Sequence, residues 1–137
     1  EGEGVVDMQT TGAPLFVATV THFSWWNADV PMDRSCIQGR LLDANSDPVA
    51  NATVSLSGVD YLYATTTDTD ANGHFCMMAR RGSFNQLWAG YADGYQAYTW
   101  DATGLQAGSS AGACGSSACA DLGDLGMVPA PVLAVCP

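Results

Sequence analysis

Lysine is absent from this 137-residue chain, and its four basic residues are all arginines: Arg34, Arg40, Arg80 and Arg81. Against them stand 14 carboxylates, giving a formal charge of −10. A surface of that sign repels phosphate backbones and anionic lipid, which excludes nucleic acid and acidic membrane surfaces as partners. Long hydrophobic runs are missing too. The longest strongly apolar stretch, Met127 to Cys136, is broken by Pro129 and Pro131, so no membrane insertion is expected. No signal peptide and no initiating Met open the chain, which reads as a mature product or an excised fragment. Catalytic motifs are also lacking. There is no Gly-x-Ser-x-Gly and no His-Glu-x-x-His, and His22 and His74 each fall inside an expected strand. Asp121 and Asp124 are assigned to a closing turn. The expectation is a protein that is not an enzyme and has no cofactor.

What is present is a period of two. Ile37, Gly39 and Leu41 share one face against Gln38 and Arg40, and Val54 and Leu56 alternate with Thr53, Ser55 and Ser57. That alternation marks half-buried antiparallel strands. Asn45-Ser46-Asp47-Pro48 and Asp70-Ala71-Asn72-Gly73 supply turn residues between them. Hydrophobic content of 47% with 13% charge supports one buried core. Strands are expected near 36–42, 53–58, 61–67, 74–80, 86–91 and 95–100, preceded by one over 15–23. A flexible arm over 1–13, a long loop over 101–120 and an extended segment within 125–135 complete the reading. The fold class is an all-β antiparallel sandwich, transthyretin-like or immunoglobulin-like, with an extra N-terminal strand. Residues 1–35 form the arm and strand leading in, and 36–137 the sandwich with its C-terminal loop.

Gly39-Arg40-Leu41-Leu42-Asp43, Asp47-Pro48-Val49-Ala50-Asn51-Ala52-Thr53-Val54 and Thr69-Asp70-Ala71-Asn72-Gly73-His74-Phe75 resemble the carboxypeptidase regulatory-like domain. The resemblance covers roughly residues 36 to 100. It implies a transthyretin-like sandwich of secreted and surface proteins, and says little of function, because that module accompanies many activities. Thr21 to Pro31 resembles a segment that leads into this domain in large bacterial surface proteins. The stretch from Cys114 through Leu125 resembles the close of such domains.

Five cysteines, Cys36, Cys76, Cys114, Cys119 and Cys136, point to an oxidising, extracellular setting. Cys114 and Cys119 in one Gly/Ser/Ala-rich loop suggest a short bridge worth about 2 kcal/mol. Cys36 and Cys76 share the face opposite the core residues Ile37, Leu41, Phe75 and Met77, and a bridge there would contribute roughly 4 kcal/mol. Cys136 is then left as a reduced thiol, an intermolecular partner in a polymer, or an alternative partner for Cys36. A zinc site is disfavoured because no second close pair accompanies Cys114 and Cys119.

Three further features carry candidate sites. Asp68, Asp70 and Asn72 open like a calcium loop, but Ala79 stands where its last carboxylate belongs, so a turn is the preferred reading. Asp43, Asn45 and Asp47 repeat the alternation. Asn51-Ala52-Thr53 is a glycosylation sequon on a turn. Trp25, Trp26, Trp88 and Trp100, with Tyr61, Tyr63, Tyr91, Tyr95 and Tyr98, could pack in the core, at a protein interface or against a glycan.

The preferred function is a non-catalytic extracellular structural or adhesive subunit that assembles with copies of itself into a surface fibre. Leu15, Phe16, Val17 and Val20, with Val132, Leu133 and Val135, are the expected contacts. The N-terminal strand could instead cover its own sheet edge or belong to a neighbouring domain of a parent surface protein. The alternatives are a carbohydrate-binding module and an accessory spacer of a larger secreted enzyme.

Overall fold

In a computed structural model, residues 4–8, 14–18, 33–94 and 96–131 are described. The chain divides into two compact units, Glu1–Pro31 and Met32–Pro137. The first contains β1 (Gly4–Met8) and β2 (Pro14–Ala18), an antiparallel pair with Val6 opposite Phe16. The arm expected over 1–13 therefore contains a strand, and of the strand expected over 15–23 the described residues, up to Ala18, lie in β2. Val5 and Val6 in β1, with Phe16 and Val17 in β2, supply the β propensity.

The second unit is the sandwich. β3 (Arg34–Leu42), β6 (His74–Arg80) and β9 (Ala120–Gly126) form a three-stranded sheet in the order β6-β3-β9. β4 (Thr53–Gly58), β5 (Ala64–Asp68), β7 (Phe84–Asp93), β8 (Gln96–Gln106) and β10 (Val128–Pro129) form a five-stranded sheet in the order β10-β8-β7-β4-β5. The all-β sandwich is thus the fold. Between the sheets lie Ile37 and Leu41 of β3, Val54 and Leu56 of β4, Phe75, Met77 and Ala79 of β6, and Leu87 and Ala89 of β7. The two-residue alternation specified that core directly, since a one-residue slip would turn each set outward.

Three expectations are corrected. Tyr61 and Tyr63 precede β5 rather than sharing a strand; they lie in the bend after β4, with stacked rings 6.0 Å apart. β8 extends to Gln106, which shortens the expected loop from 101–120 to 107–119. Asp121 and Asp124 belong to a strand, β9, and that strand runs parallel to β3. Its ladder with β3 shifts register between Gln38 and Arg40, where Gly123 at φ 66° forms a bulge. The extra residue resets parity. Asp121 and Asp124, three apart, therefore both stay exposed, while Leu122 and Leu125 are both half-buried against the core.

The sheets are unequal, and this leaves one side of the sandwich open. β6 packs against β4 and β5, and β9 packs against β8. β10 pairs with β8 only at Thr99 and Tyr98. Among the described residues, Trp100–Gln106 has β7 on one side and no strand on the other, and β9 has β3 alone.

Candidate functional site

Two regions of the sandwich gather chemistry: the outer face of the three-stranded sheet and the open side. On the outer face, alternation along β3 and β6 directs Cys36, Gln38 and Arg40, with His74 and Cys76, away from the core. The loop 107–119 lies across one end of that face. It is fixed by two disulfides, Cys36–Cys119 and Cys76–Cys114. All four cysteines expected in bridges are bridged, but the expected pairing is corrected. Cys36 stands opposite Met78 and Cys76 opposite Gln38, so the two are diagonal neighbours. Each turns outward to the loop that covers them, and the loop's cysteines reach different strands.

The loop sits close. At Gly108 an added Cβ would lie 2.0 Å from the Ala118 carbonyl oxygen and 2.5 Å from Ser35 Oγ, so only glycine fits. Ser35 is fully buried and donates to the Ala118 carbonyl at 3.4 Å. Cys36 is likewise fully buried. The Sγ atoms of Cys36, Cys76 and Cys119 lie within 4.8 Å of one another. The expectation that Cys114 and Cys119 lack a second close pair is thus corrected, because β3 and β6 bring one beneath the loop.

Beyond the loop the same face opens into a cleft of about 650 Å3, lined chiefly by Gln38, Arg40, Asp70, His74, Asp121 and Asp124. Arg40 donates its Nε–H to the Asn72 carbonyl at 3.0 Å and lies 3.8 Å from Asp124. Gln38 donates to Asp121 at 3.2 Å, and His74 Nδ1 lies 3.8 Å from Asp70. Backbone N–H groups of His74, then Asn72, hold the Asp70 carboxyl below the usual carboxylate range. The Gly123 N–H, then the Gln38 amide, do the same for Asp121. Both acids are therefore ionised at neutral pH, and the cleft carries excess negative charge.

The calcium candidates fall at this cleft's rim, where they serve the turn. Asp70 Oδ1 accepts from the Asn72 and His74 N–H groups, and Asp68 accepts from the Thr53 hydroxyl. Ala79, at the missing ligand position, is buried in β6. Asn51 of the sequon is exposed in a turn at φ 57°.

On the open side, Tyr91, Tyr98 and Trp100 of the five-stranded sheet and Leu122 and Leu125 of β9 are only partly covered. On that sheet's outer face, Trp88 is 49% exposed between Ser55 and Asp101, and Val128 is 61% exposed. Tyr61, by contrast, is structural. Its hydroxyl donates to Asn85 Oδ1 at 2.6 Å and accepts the Arg80 N–H at 3.1 Å, and burial pushes its pKa up. Of the expected assembly contacts, Leu15, Phe16 and Val17 lie in β2. Val20, Val132, Leu133, Val135 and Cys136 lie outside the described residues, as do His22, Trp25, Trp26 and Tyr95.

No family model matches the chain, and no curated protein matches it. The fold is similar to that of 3-chlorocatechol 1,2-dioxygenase from Rhodococcus opacus 1CP, at 15% identity and a TM-score of 0.40. The match covers 59% of this chain and 45% of that one. Against the expectation that the chain is not an enzyme, the protein it is similar to is an enzyme, and that expectation is not carried forward. At that identity and TM-score the likeness transfers no reaction, metal or residue role to this chain.

Proposed function

We propose that this chain is an extracellular β-sandwich of the carboxypeptidase regulatory-like type that assembles with copies of itself by strand addition. One observation carries the reading: the edge of β8 from Trp100 to Gln106 and the edge of β9, both unpaired among the described residues, flank a ledge of half-covered aromatic and leucine side chains. An apolar strand laid there gains main-chain hydrogen bonds and covers Trp100 and Leu125 together. The occupant is the β1–β2 hairpin of a second copy. In its own chain that hairpin belongs to the first of the two compact units, Glu1–Pro31. A head-to-tail contact of this kind does not close on itself, so it propagates into a fibre. Two disulfides and low charge density suit life outside the cell. Negative-stain microscopy of the full chain should show filaments, and deletion of residues 1–31 should leave folded monomers. Monodisperse full-length particles at high concentration would overturn the proposal, as would filaments that survive the deletion.

A second reading rests on Trp88. Its exposed ring, flanked across the sheet by Ser55 and Asp101, offers a stacking face with polar neighbours suited to a sugar ring. Binding on a glycan array that disappears with Trp88→Ala would favour a carbohydrate-binding module.

A further inference from the structure

We propose that Cys36, Cys76, Cys114 and Cys119 constitute a thiolate site for one zinc ion when both disulfides are reduced. The sulfurs of Cys36, Cys76 and Cys119 already fall within 4.8 Å of one another, and Cys114 is bonded to Cys76. Zinc held by four thiolates at about 2.3 Å sets its ligands about 3.8 Å apart in a tetrahedron. Four sulfurs gathered at one place can satisfy one another in pairs or share a cation.

The scaffold that gathers them does not depend on the bridges alone. Cys36 and Cys76 are placed by the β3–β6 ladder, on the same outer face and two positions out of register. Cys114 and Cys119 flank a turned segment in which Ser116 N–H donates to the Ala113 carbonyl at 3.0 Å. Gly115 within it takes φ 89°, a conformation open to glycine. Two ligands thus come from adjacent strands and two from one short loop. The setting is also dry on the strand side, where Cys36 is fully buried. The carboxylates and His74 of the neighbouring cleft form no comparable group: among the described residues, the cysteines are the set whose ligand atoms converge.

The conversion balances with a thiol or phosphine reductant. Each disulfide takes up two electrons and two protons to give two thiols, and the cation displaces the four thiol protons as it binds. Reoxidation by a small-molecule disulfide, two equivalents of which take up the four electrons and leave as four thiols, reforms both protein disulfides and releases the zinc. The loop 107–119 is then tied to β3 and β6 in either state.

Cobalt(II) titration of the whole chain, reduced with a phosphine under anaerobic conditions, tests this. One equivalent should produce thiolate-to-cobalt charge transfer and tetrahedral ligand-field bands, and zinc should displace it stoichiometrically. Cys36→Ser and Cys76→Ser should each weaken binding about tenfold or more, while Cys136→Ser should leave it unchanged. If the reduced apoprotein is unfolded, zinc should restore its β circular dichroism. Absence of the bands overturns the proposal. So does a response that depends on Cys136 rather than Cys36, or equal affinity in denaturing urea, which would mean the fold contributes nothing to the site.

Discussion

Asp43 and Asp70 do the same work in two places. Each accepts N–H bonds from the residues two and four positions on, at 2.8 and 2.9 Å in both turns. Each is followed by Ala-Asn and then by a residue in the left-handed region, Ser46 at φ 69° and Gly73 at φ 77°. Ser46 tolerates that conformation, whereas at Gly73 an added Cβ would come within 2.5 Å of the Leu41 carbonyl oxygen. Gly73→Ala should therefore destabilise by about 2 kcal/mol or more, and Ser46→Gly should change stability by less than about 1 kcal/mol, both read from urea unfolding. Fully buried Asn85 is a second test. Its Nδ2 donates to the Ser83 and Leu105 carbonyls, and its oxygen accepts from Tyr61. Tyr61→Phe leaves that oxygen unpaired and should cost about 1–2 kcal/mol by the same measurement. The acids give a pH dependence. Because the Asp70 and Asp121 carboxyls sit below their unfolded value, the unfolded chain binds more protons on the acid side. Their stabilisation is complete above the ordinary carboxylate range of about 4 and is lost as pH falls through the depressed values. Urea midpoints measured from neutral to strongly acid pH should fall less steeply in an Asp70→Asn, Asp121→Asn double variant.

At the scale of elements, the strands that alternate cleanly were legible and those built on turn residues were not. The core positions of β3, β4 and β6 follow from side-chain parity alone. β9 is different. Asp121, Gly123, Asp124 and Gly126 read as a turn, and they become a strand because β3 offers a parallel ladder with a bulge at Gly123. No local signal announces that partner. The disulfide pairing failed for a related reason: parity placed Cys36 and Cys76 on one face, but where a loop of Gly, Ser and Ala settles is fixed by tertiary contact. The cleft was hidden likewise, since Arg40, His74 and Asp124 come together only once β6 and β9 flank β3. The pairing is checkable because cleavage after arginine is the whole tryptic map of a lysine-free chain. Ser35–Arg40, Leu41–Arg80 and Gly82–Pro137 then each carry different cysteines. Bridges Cys36–Cys119 and Cys76–Cys114 should hold all three peptides in one covalent species without reductant. A Cys36–Cys76 bridge would instead release Gly82–Pro137.

At the scale of the whole molecule, a charge of −10 opposes association between copies. Screening shortens that repulsion to about 8 Å at physiological ionic strength. Strand-mediated assembly should therefore speed up as salt is raised from low to physiological concentration, followed by light scattering. An assembly rate that falls with salt would place attraction between opposite charges, rather than apolar strand contact, at the interface.

The parallel partnership of β3 and β9 also bears on how the chain reaches its fold. Ile37 waits for Ala120 before its sheet is finished, so almost the entire sandwich must be made or exported before that sheet gains its last member. Until then Leu41 and Phe75 lack the cover that Leu122 and Leu125 supply. A nascent or truncated chain that stops in the loop would present this greasy flank to its neighbours until the last strand covers it.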